Sequence, residues 1–219
     1  MMKRKRYVLF IFALILILSG CTNEKDPTKE MYDVLEKVVA KEKGFEEQQE
    51  PLVSLEKKEK ALYDQIIKLG MKEYEQIVKL SDEALDSADK RKELLEKETN
   101  SLKESEKEFQ KVKKIKDQLK DPEQKKFANE LYDIMMQRYR AHDVLYSNYS
   151  EALKNDKELY EMFKNKELPL DALEAQVMKV NETYKNVLAA NESFNKLTEE
   201  YNATKLSFYK QAGIKSSNK

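Results

Sequence analysis

Apolar side chains recur every three or four residues through most of the chain, and this spacing constrains its fold more than any other feature. One row with a period of about 3.5 residues runs, with some polar interruptions, through Met71, Tyr74, Val78, Ser81, Leu85, Ala88, Lys92, Leu95, Thr99, Leu102, Glu106 and Phe109. Such a period places an apolar stripe along one face of a long helix, and that stripe packs against other helices. Four glycines and four prolines in 219 residues are too few for a sheet that turns often, so the composition also favours helices.

Only a few residues interrupt this pattern. Asp26-Pro27 and Asp121-Pro122 each place a capping aspartate before a proline at the first helical position. Leu168-Pro169 marks another connection between helices, since proline ends the helix before it. These local signals predict where three of the helices begin.

The first boundary is less marked, because only a shift of the apolar register at Met71 reveals it. A turn near Gly70 explains the shift, and a turn near Ser81 is the alternative. With the turn at Gly70, the chain divides into four arms of about 45 residues, each about 65 Å long as a helix. These arms are 27–69, 71–119, 122–165 and 169–212.

Arms of equal length joined by short loops predict an all-α fold, an elongated four-helix up-and-down bundle over residues 27–213. The alternative is a three-helix, spectrin-like rod whose first helix is kinked at Pro51. Residues 214–219 form a frayed polar tail in either case. Both arrangements are slender rods with a single core.

The N-terminus has the pattern of an export signal. A basic run from Lys3 to Arg6 precedes twelve uncharged residues, Tyr7 to Leu18, which span only about 18 Å as a helix and fall short of a bilayer core of about 30 Å. The pattern therefore predicts a signal peptide over residues 1–20 rather than a membrane-spanning helix.

Leu18-Ser19-Gly20-Cys21 resembles the lipobox of bacterial lipoproteins. The resemblance implies cleavage between Gly20 and Cys21, a diacylglyceryl group on the Cys21 thiol, and acyl chains of the palmitate type that anchor the protein stably in the membrane. Residues 21–26 would be a polar tether. The alternative is an ordinary cleaved signal, or an uncleaved anchor, in which the cysteine is coincidental.

Charge and cysteine content exclude several classes of protein. Residues 1–20 hold four of the 41 basic residues and none of the 41 acidic ones, so the mature chain has 37 basic and 41 acidic residues and a net charge of −4. That balance argues against a nucleic-acid partner. A single cysteine excludes a disulfide framework and a cysteine-based zinc site.

Two groups of residues are candidates for binding a wall polymer. Tyr132, Tyr139 and Tyr146 are seven residues apart, with Tyr149 and Tyr160 following, and could stack on sugar rings; alternatively they fill the boundary of a thin bundle. Lysines surround the turn at Asp121 and could bind teichoic-acid phosphates or anionic headgroups; alternatively they are a solvated helix end. These lysines are Lys111, Lys113, Lys114, Lys116, Lys120, Lys125 and Lys126.

No catalytic or cofactor site is predicted. His142 is the only histidine and has no cysteine near it in sequence, so we interpret it as a hydrogen-bonded residue of the apolar stripe rather than a metal ligand. The sequence also has no glycine-rich phosphate loop and no catalytic-triad motif. The oligomeric state is left open.

Three further motifs accompany the lipobox: Phe45-Glu46-Glu47-Gln48-Gln49-Glu50-Pro51-Leu52, Leu55-Glu56-Lys57-Lys58-Glu59 and Glu108-Phe109. In this order they resemble the YkyA-type lipoproteins of Gram-positive bacteria, over the whole mature chain. The resemblance implies a four-helix bundle on the outer face of the cell membrane with a proposed role in cell-wall binding.

The predicted function is therefore non-catalytic binding of cell-wall polymer by a membrane-anchored rod. The first alternative is a helical scaffold that binds another membrane or wall-synthesis protein. The second is a wall-modifying enzyme, which needs a cleft with converging carboxylates that a slender bundle rarely provides.

Overall fold

The computed structural model describes residues 26–214, and over this range the chain forms an elongated all-α bundle with no strand. The helices are α1 (Pro27–Ile66), α2 (Tyr74–Phe109), α3 (Val112–Gln118), α4 (Pro122–Phe163) and α5 (Leu170–Gln211), with a short 3-10 helix at Met71–Glu73. Since α2 and α3 follow each other in one arm, the four-arm prediction is confirmed. The predicted signal peptide, its cleavage site at Gly20, the lipidated Cys21 and residues 215–219 lie outside the described residues.

The predicted helix starts are confirmed at the two Asp-Pro pairs. The carboxylate of Asp26 accepts a hydrogen bond from the backbone N–H of Thr28 at 3.0 Å. The carboxylate of Asp121 accepts one from Gln124 at 2.8 Å. Each bond satisfies one of the N–H groups that the first helical turn leaves without an intrahelical partner.

The turn between the first two arms lies at Gly70. Helix α1 ends at Ile66, and the next helical segment begins at Met71. The alternative turn near Ser81 is wrong, because Ser81 is fully buried inside α2. The three-helix rod with a kinked first helix is also not observed, because the chain forms four long arms and α1, which contains Pro51, ends at Ile66. Pro51 is exposed, where water can bind the carbonyl group that has lost its helical partner.

The second arm is interrupted where the sequence predicts a continuous helix. At Gln110 and Lys111 the backbone makes hydrogen bonds between residues three apart, including Lys111 N–H to Glu108 O at 3.2 Å and Lys114 N–H to Lys111 O at 3.2 Å. Such tight turns bring residues three apart into line. Phe109, Val112 and Ile115, at intervals of three residues, are all buried in the core.

The arms form two hairpins, α1 with α2 and α4 with α5, which are joined mainly through α2 and α4. At one end of the rod the start of α1, the end of α5 and all of α3 share an apolar core with α4, which includes Leu35, Val112, Leu131 and Phe208. Ile214 packs against this core as well. Gly213 at φ 68° lets the Ile214 N–H bond back to Tyr209 O at 2.9 Å, which closes the C-terminal end of α5.

Candidate functional site

A cleft of about 570 Å³ opens between α1 and α5, above a floor formed by α2 and α4. Its volume is in the range of small-ligand sites. Aliphatic side chains from α1 and α5 line its walls, namely Leu52, Val53, Val177, Val180, Val187 and Leu188. A slender bundle rarely has such a cleft; here α1 and α5 belong to different hairpins and approach each other less closely than the helices within a hairpin.

Arg91 of α2 lies at the floor of the cleft and is 1% exposed. Its Nε and one terminal nitrogen both donate to the Tyr149 hydroxyl, at 3.0 and 2.9 Å. That same terminal nitrogen donates to the Tyr184 hydroxyl at 2.8 Å, and the other donates to Glu59 at 2.7 Å and Asp156 at 3.3 Å. A guanidinium has five N–H donors, so these five bonds use all of them.

Three carboxylates gather around this one cation. Besides Glu59 and Asp156, Glu56 accepts a hydrogen bond from the Tyr149 hydroxyl at 2.6 Å and lies 3.7 Å from Arg91. Glu59 and Asp156 are each only 4% exposed. The floor of the cleft therefore carries more negative than positive charge in a poorly solvated place.

The burial of these acids changes their titration. Burial raises the pKa of Glu59 to about 7; the nearby Asp156 adds to this effect and Arg91 opposes it. Burial also raises the pKa of Asp156, against the opposing effect of Tyr184 and Arg91. Burial raises the pKa of Tyr149 and Tyr184 far above the usual range, so both hydroxyls stay neutral and can donate to the carboxylates.

Helical spacing explains how four arms supply one site. On α1, Glu56 and Glu59 are three residues apart and so share a face. On α4, Tyr149, Asp156 and Tyr160 follow at spacings of seven and four, which also keeps them on one face. Arg91 comes from α2 and Tyr184 from α5. Each side chain is thus placed by its own helix, and packing of the bundle brings them together.

A second polar group lies in the core nearer the chain's N-terminal end. Arg138 donates to Glu42 at 2.8 Å and to Thr198 at 2.8 Å. Between the two arginines, His142 lies 3.2 Å from Glu98 and is 2% exposed. The interpretation of His142 as a hydrogen-bonded core residue is confirmed. Among residues 26–214, no group of histidine, cysteine, aspartate and glutamate side chains could hold a metal ion.

The structure separates the predicted tyrosine row into different environments. Tyr139 is buried, and its hydroxyl is 2.7 Å from that of Ser105, so it cannot stack on a sugar ring from solvent. Tyr132 is half-buried and stacks on Phe109 with a centroid distance of 5.8 Å. Tyr146 is half-buried and packs against a second apolar cluster, which includes Leu102, Leu145 and Val187. The later members of the row, Tyr149 and Tyr160, line the cleft instead.

The predicted lysine residues lie on α3 and beside it. Lys113 and Lys114 are exposed, whereas Lys111 bonds to Glu108 at 2.6 Å. Lys116 is half-buried and lies 5.5 Å from the centroid of the Tyr132 ring. This surface is at the end of the rod where α1 begins, because the Thr28 hydroxyl donates to Gln124 at 2.9 Å. It is therefore far from the cleft.

The sequence analysis missed Arg91. One signal could have revealed it: after residue 20 the chain has only three arginines, Arg91, Arg138 and Arg140, against a large excess of lysine. Arginine is preferred for buried ion pairs because its donors are fixed in a plane and its charge is less strongly hydrated. Two of the three arginines are indeed buried.

The family model described as "Putative cell-wall binding lipoprotein" matches residues 26–211. The chain belongs to the YkyA family. "Uncharacterized lipoprotein YkyA" of Bacillus subtilis (strain 168) is 39% identical over 203 residues, which cover 93% of this chain and 91% of that protein. The predicted family is therefore confirmed.

A solved structure has the same fold. The crystal structure of a conserved protein of unknown function from Staphylococcus aureus superposes with a TM-score of 0.73 at 19% identity, covering 83% of this chain and 91% of that one. At this identity the likeness concerns the fold alone. Between residues 26 and 214, no helix is long and apolar enough to cross a membrane.

Proposed function

We propose that this member of the YkyA family is a non-catalytic, lipid-anchored protein that binds cell-wall polymer through the cleft between α1 and α5. The family description and the lipobox-like Leu18-Ser19-Gly20-Cys21 support a lipoprotein anchored at Cys21 on the outer face of the cell membrane. The cleft is large enough for a segment of polymer, and it gathers aliphatic walls over a polar, hydrogen-bonded floor.

The position of the cleft along the rod carries this proposal. Five residues, Thr22 to Asp26, separate Cys21 from α1, and they reach at most about 18 Å. Glu59 lies 32 residues after Pro27, which is about 48 Å along a helix. A lipid on Cys21 would thus keep the start of α1 close to the membrane and the cleft well above it, toward the wall.

In this proposal the lysine residues have a different role from the cleft. Lys113 and Lys114 lie at the end of the rod where α1 begins, so they would face the membrane surface. There they could contact phosphate groups of anionic lipids. In this proposal the lysines orient the rod and the cleft binds the wall.

The test is co-sedimentation of residues 22–219 with purified wall sacculi, with and without teichoic acid. Leu188→Trp fills the mouth of the cleft, and Leu206→Trp is the control, because both leucines are exposed residues of α5 and only Leu188 lines the cleft. We expect the wild type and Leu206→Trp to pellet and Leu188→Trp to stay in solution. Pelleting of Leu188→Trp at the wild-type level, or no pelleting of the folded wild type, would overturn the proposal.

A wall-modifying enzyme is the second candidate, and Glu59 is the observation that favours it. A carboxyl group with a pKa near 7 in a cleft is typical of a general acid. However, Glu59 and Asp156 both bind the same Arg91 nitrogen, whereas the two carboxylates of a glycosidase stand apart with the substrate between them. Release of soluble fragments from sacculi by the wild type but not by Glu59→Gln would favour the enzyme over the binding protein.

A further inference from the structure

The chemistry of the cleft indicates what kind of group it binds, and this inference rests on the proposed binding function of the cleft. The charged residues that line it are Glu56, Glu59, Glu98, Asp156, Lys60 and Arg91. Lys60 already bonds to Asp64 outside the cleft at 2.9 Å. Glu98 lies 3.2 Å from His142. Glu56, Glu59 and Asp156 therefore share the single positive charge of Arg91, and a ligand that brings further positive charge would complement them.

The hydrogen bonding of Arg91 argues against a negatively charged ligand. A phosphate or carboxylate ligand needs N–H donors, but all five donors of Arg91 already bind groups of the protein. An anion would also approach three carboxylates at the floor, and like charges at such distances repel strongly in a poorly solvated site.

The walls favour a cation of a particular shape. Above the charged floor, Val53, Val177 and Leu188 offer aliphatic surface near solvent, where a methylene chain can pack. The rings of Tyr149 and Tyr184 lie beneath and already flank Arg91, with ring centroids 5.0 and 6.0 Å from its guanidinium carbon. Aromatic faces in this position also attract an ammonium group.

We propose that the cleft binds a primary ammonium group carried on an aliphatic stem, with Glu56 and Glu59 as its counter-charges and the α1 and α5 side chains around its stem. Side-chain amines of wall peptides are of this kind, whereas aminoacyl esters of teichoic acids carry a free ammonium without the stem. The ammonium would donate hydrogen bonds to these two carboxylates, and its charge would offset the negative charge that Arg91 alone does not balance.

The proposal is tested with the domain of residues 22–219 and two small probes. Nα-acetyl-lysine N-methylamide carries the ammonium, and its Nε-acetylated form has the same stem without the charge. NMR titration follows the ring signals of Tyr149 and Tyr184. We expect saturable shifts with the amine and none with the acetylated probe. Equal binding of the two probes, stronger binding of the acetylated one, or binding of neither would overturn the inference.

Variants locate the counter-charge. Glu56 has a side chain that is 40% exposed, so Glu56→Gln should fold normally; we expect it to weaken binding of the amine about tenfold, the cost of one charge-assisted hydrogen bond. Glu46→Gln on the exposed face of α1 is the matched control and should bind like the wild type. Wild-type affinity in Glu56→Gln would contradict the proposed contact.

The pH dependence gives an independent check. Glu59 faces Arg91 from α2, Asp156, Tyr149 and Tyr160 from α4, Tyr184 from α5, and Glu56 and Lys60 on its own helix. Because the carboxyl of Glu59 has a pKa of about 7 and a lysine amine stays charged to about pH 10, the amine should bind more tightly at pH 8 than at pH 6. Weaker or unchanged binding at pH 8 would contradict the role of Glu59.

Sacculi distinguish the source of the amine and separate this inference from the proposed function. Acetylating the free amines of the wall should abolish pelleting; if the amine belongs to teichoic acid, removal of that polymer should abolish it as well. Pelleting that Leu188→Trp abolishes but acetylation does not would leave the wall-binding function standing and refute the ammonium. Binding of the amine probe without any pelleting would support the ammonium site and refute the wall-binding function.

Discussion

Methionine in place of Arg91 would leave Glu59 and Asp156 buried in the bundle without their cation. Both carboxylates are 4% exposed, and Arg91 bonds to them at 2.7 and 3.3 Å. Removing one partner of a buried ion pair costs about 3–5 kcal/mol, because the remaining charge is neither paired nor hydrated. We therefore expect Arg91→Met to lower the free energy of unfolding by about that amount at pH 8.

Urea denaturation followed by circular dichroism measures this loss. For a domain of this size, with a dependence of about 2–3 kcal/mol per molar urea, the midpoint should fall by about 1.5 M. Lys92→Met is the matched control, because Lys92 is the exposed neighbour of Arg91 and its distance to Glu96 is 4.0 Å. We expect the control to unfold close to the wild type.

Two further measurements separate lost charge pairing from lost packing. Without Arg91 the folded-state pKa values of both carboxyls should rise further above their unfolded values, so the folded protein takes up protons, and the loss at pH 5 should be smaller than at pH 8. The triple variant Arg91→Met, Glu59→Gln, Asp156→Asn should recover most of the stability. A loss below about 1 kcal/mol at pH 8, or a triple variant as unstable as Arg91→Met, would refute this reasoning.

Three other predictions concern stability. The folded-state pKa of Glu59, about 7, exceeds its unfolded value of 4.5, so the wild type should lose thermal stability as pH rises from 5 to 8. Glu59→Gln should flatten that pH dependence. A wild type that gains stability over this range would contradict the raised pKa of Glu59. Asp121→Ala removes the bond to the Gln124 N–H and should cost about 1 kcal/mol in urea unfolding. Leu131→Ala, at a fully buried position, should cost about 2–5 kcal/mol in the same assay, and a cost below 1 kcal/mol would show that its surroundings collapse around it.

The arms of the bundle could be predicted because their signals are local. The apolar period identifies the helices, and the Asp-Pro pairs at Asp26 and Asp121 mark two helix starts through contacts within three residues. The interruption after Phe109 was missed, because nothing in the sequence of Gln110 and Lys111 opposes a helix. On either side of it, Phe109, Val112 and Ile115 are buried in the same core.

The cleft could not be predicted for a different reason. The partners of Arg91 are Glu59, Tyr149, Asp156 and Tyr184, which lie 32 to 93 residues away on three other helices. Acidic residues occur throughout the chain, so no spacing distinguishes the two that meet Arg91. The tyrosine row illustrates the same limit, since the period places Tyr139 and Tyr149 on one helix but does not reveal that only Tyr149 lines an open cleft.

In-cell photocrosslinking tests most directly whether the cleft meets the wall. Cys21 is the only natural cysteine, so if its thiol carries the proposed lipid, a benzophenone reagent would label only an introduced cysteine of this protein. Leu188→Cys places the label at the mouth of the cleft, and Leu206→Cys places it on the same helix, nearer the end of the rod where α1 begins. We expect the label at residue 188, and not that at 206, to link the protein to wall material that resists boiling detergent. Equal linkage from both positions, or none from residue 188, would contradict a wall-binding cleft.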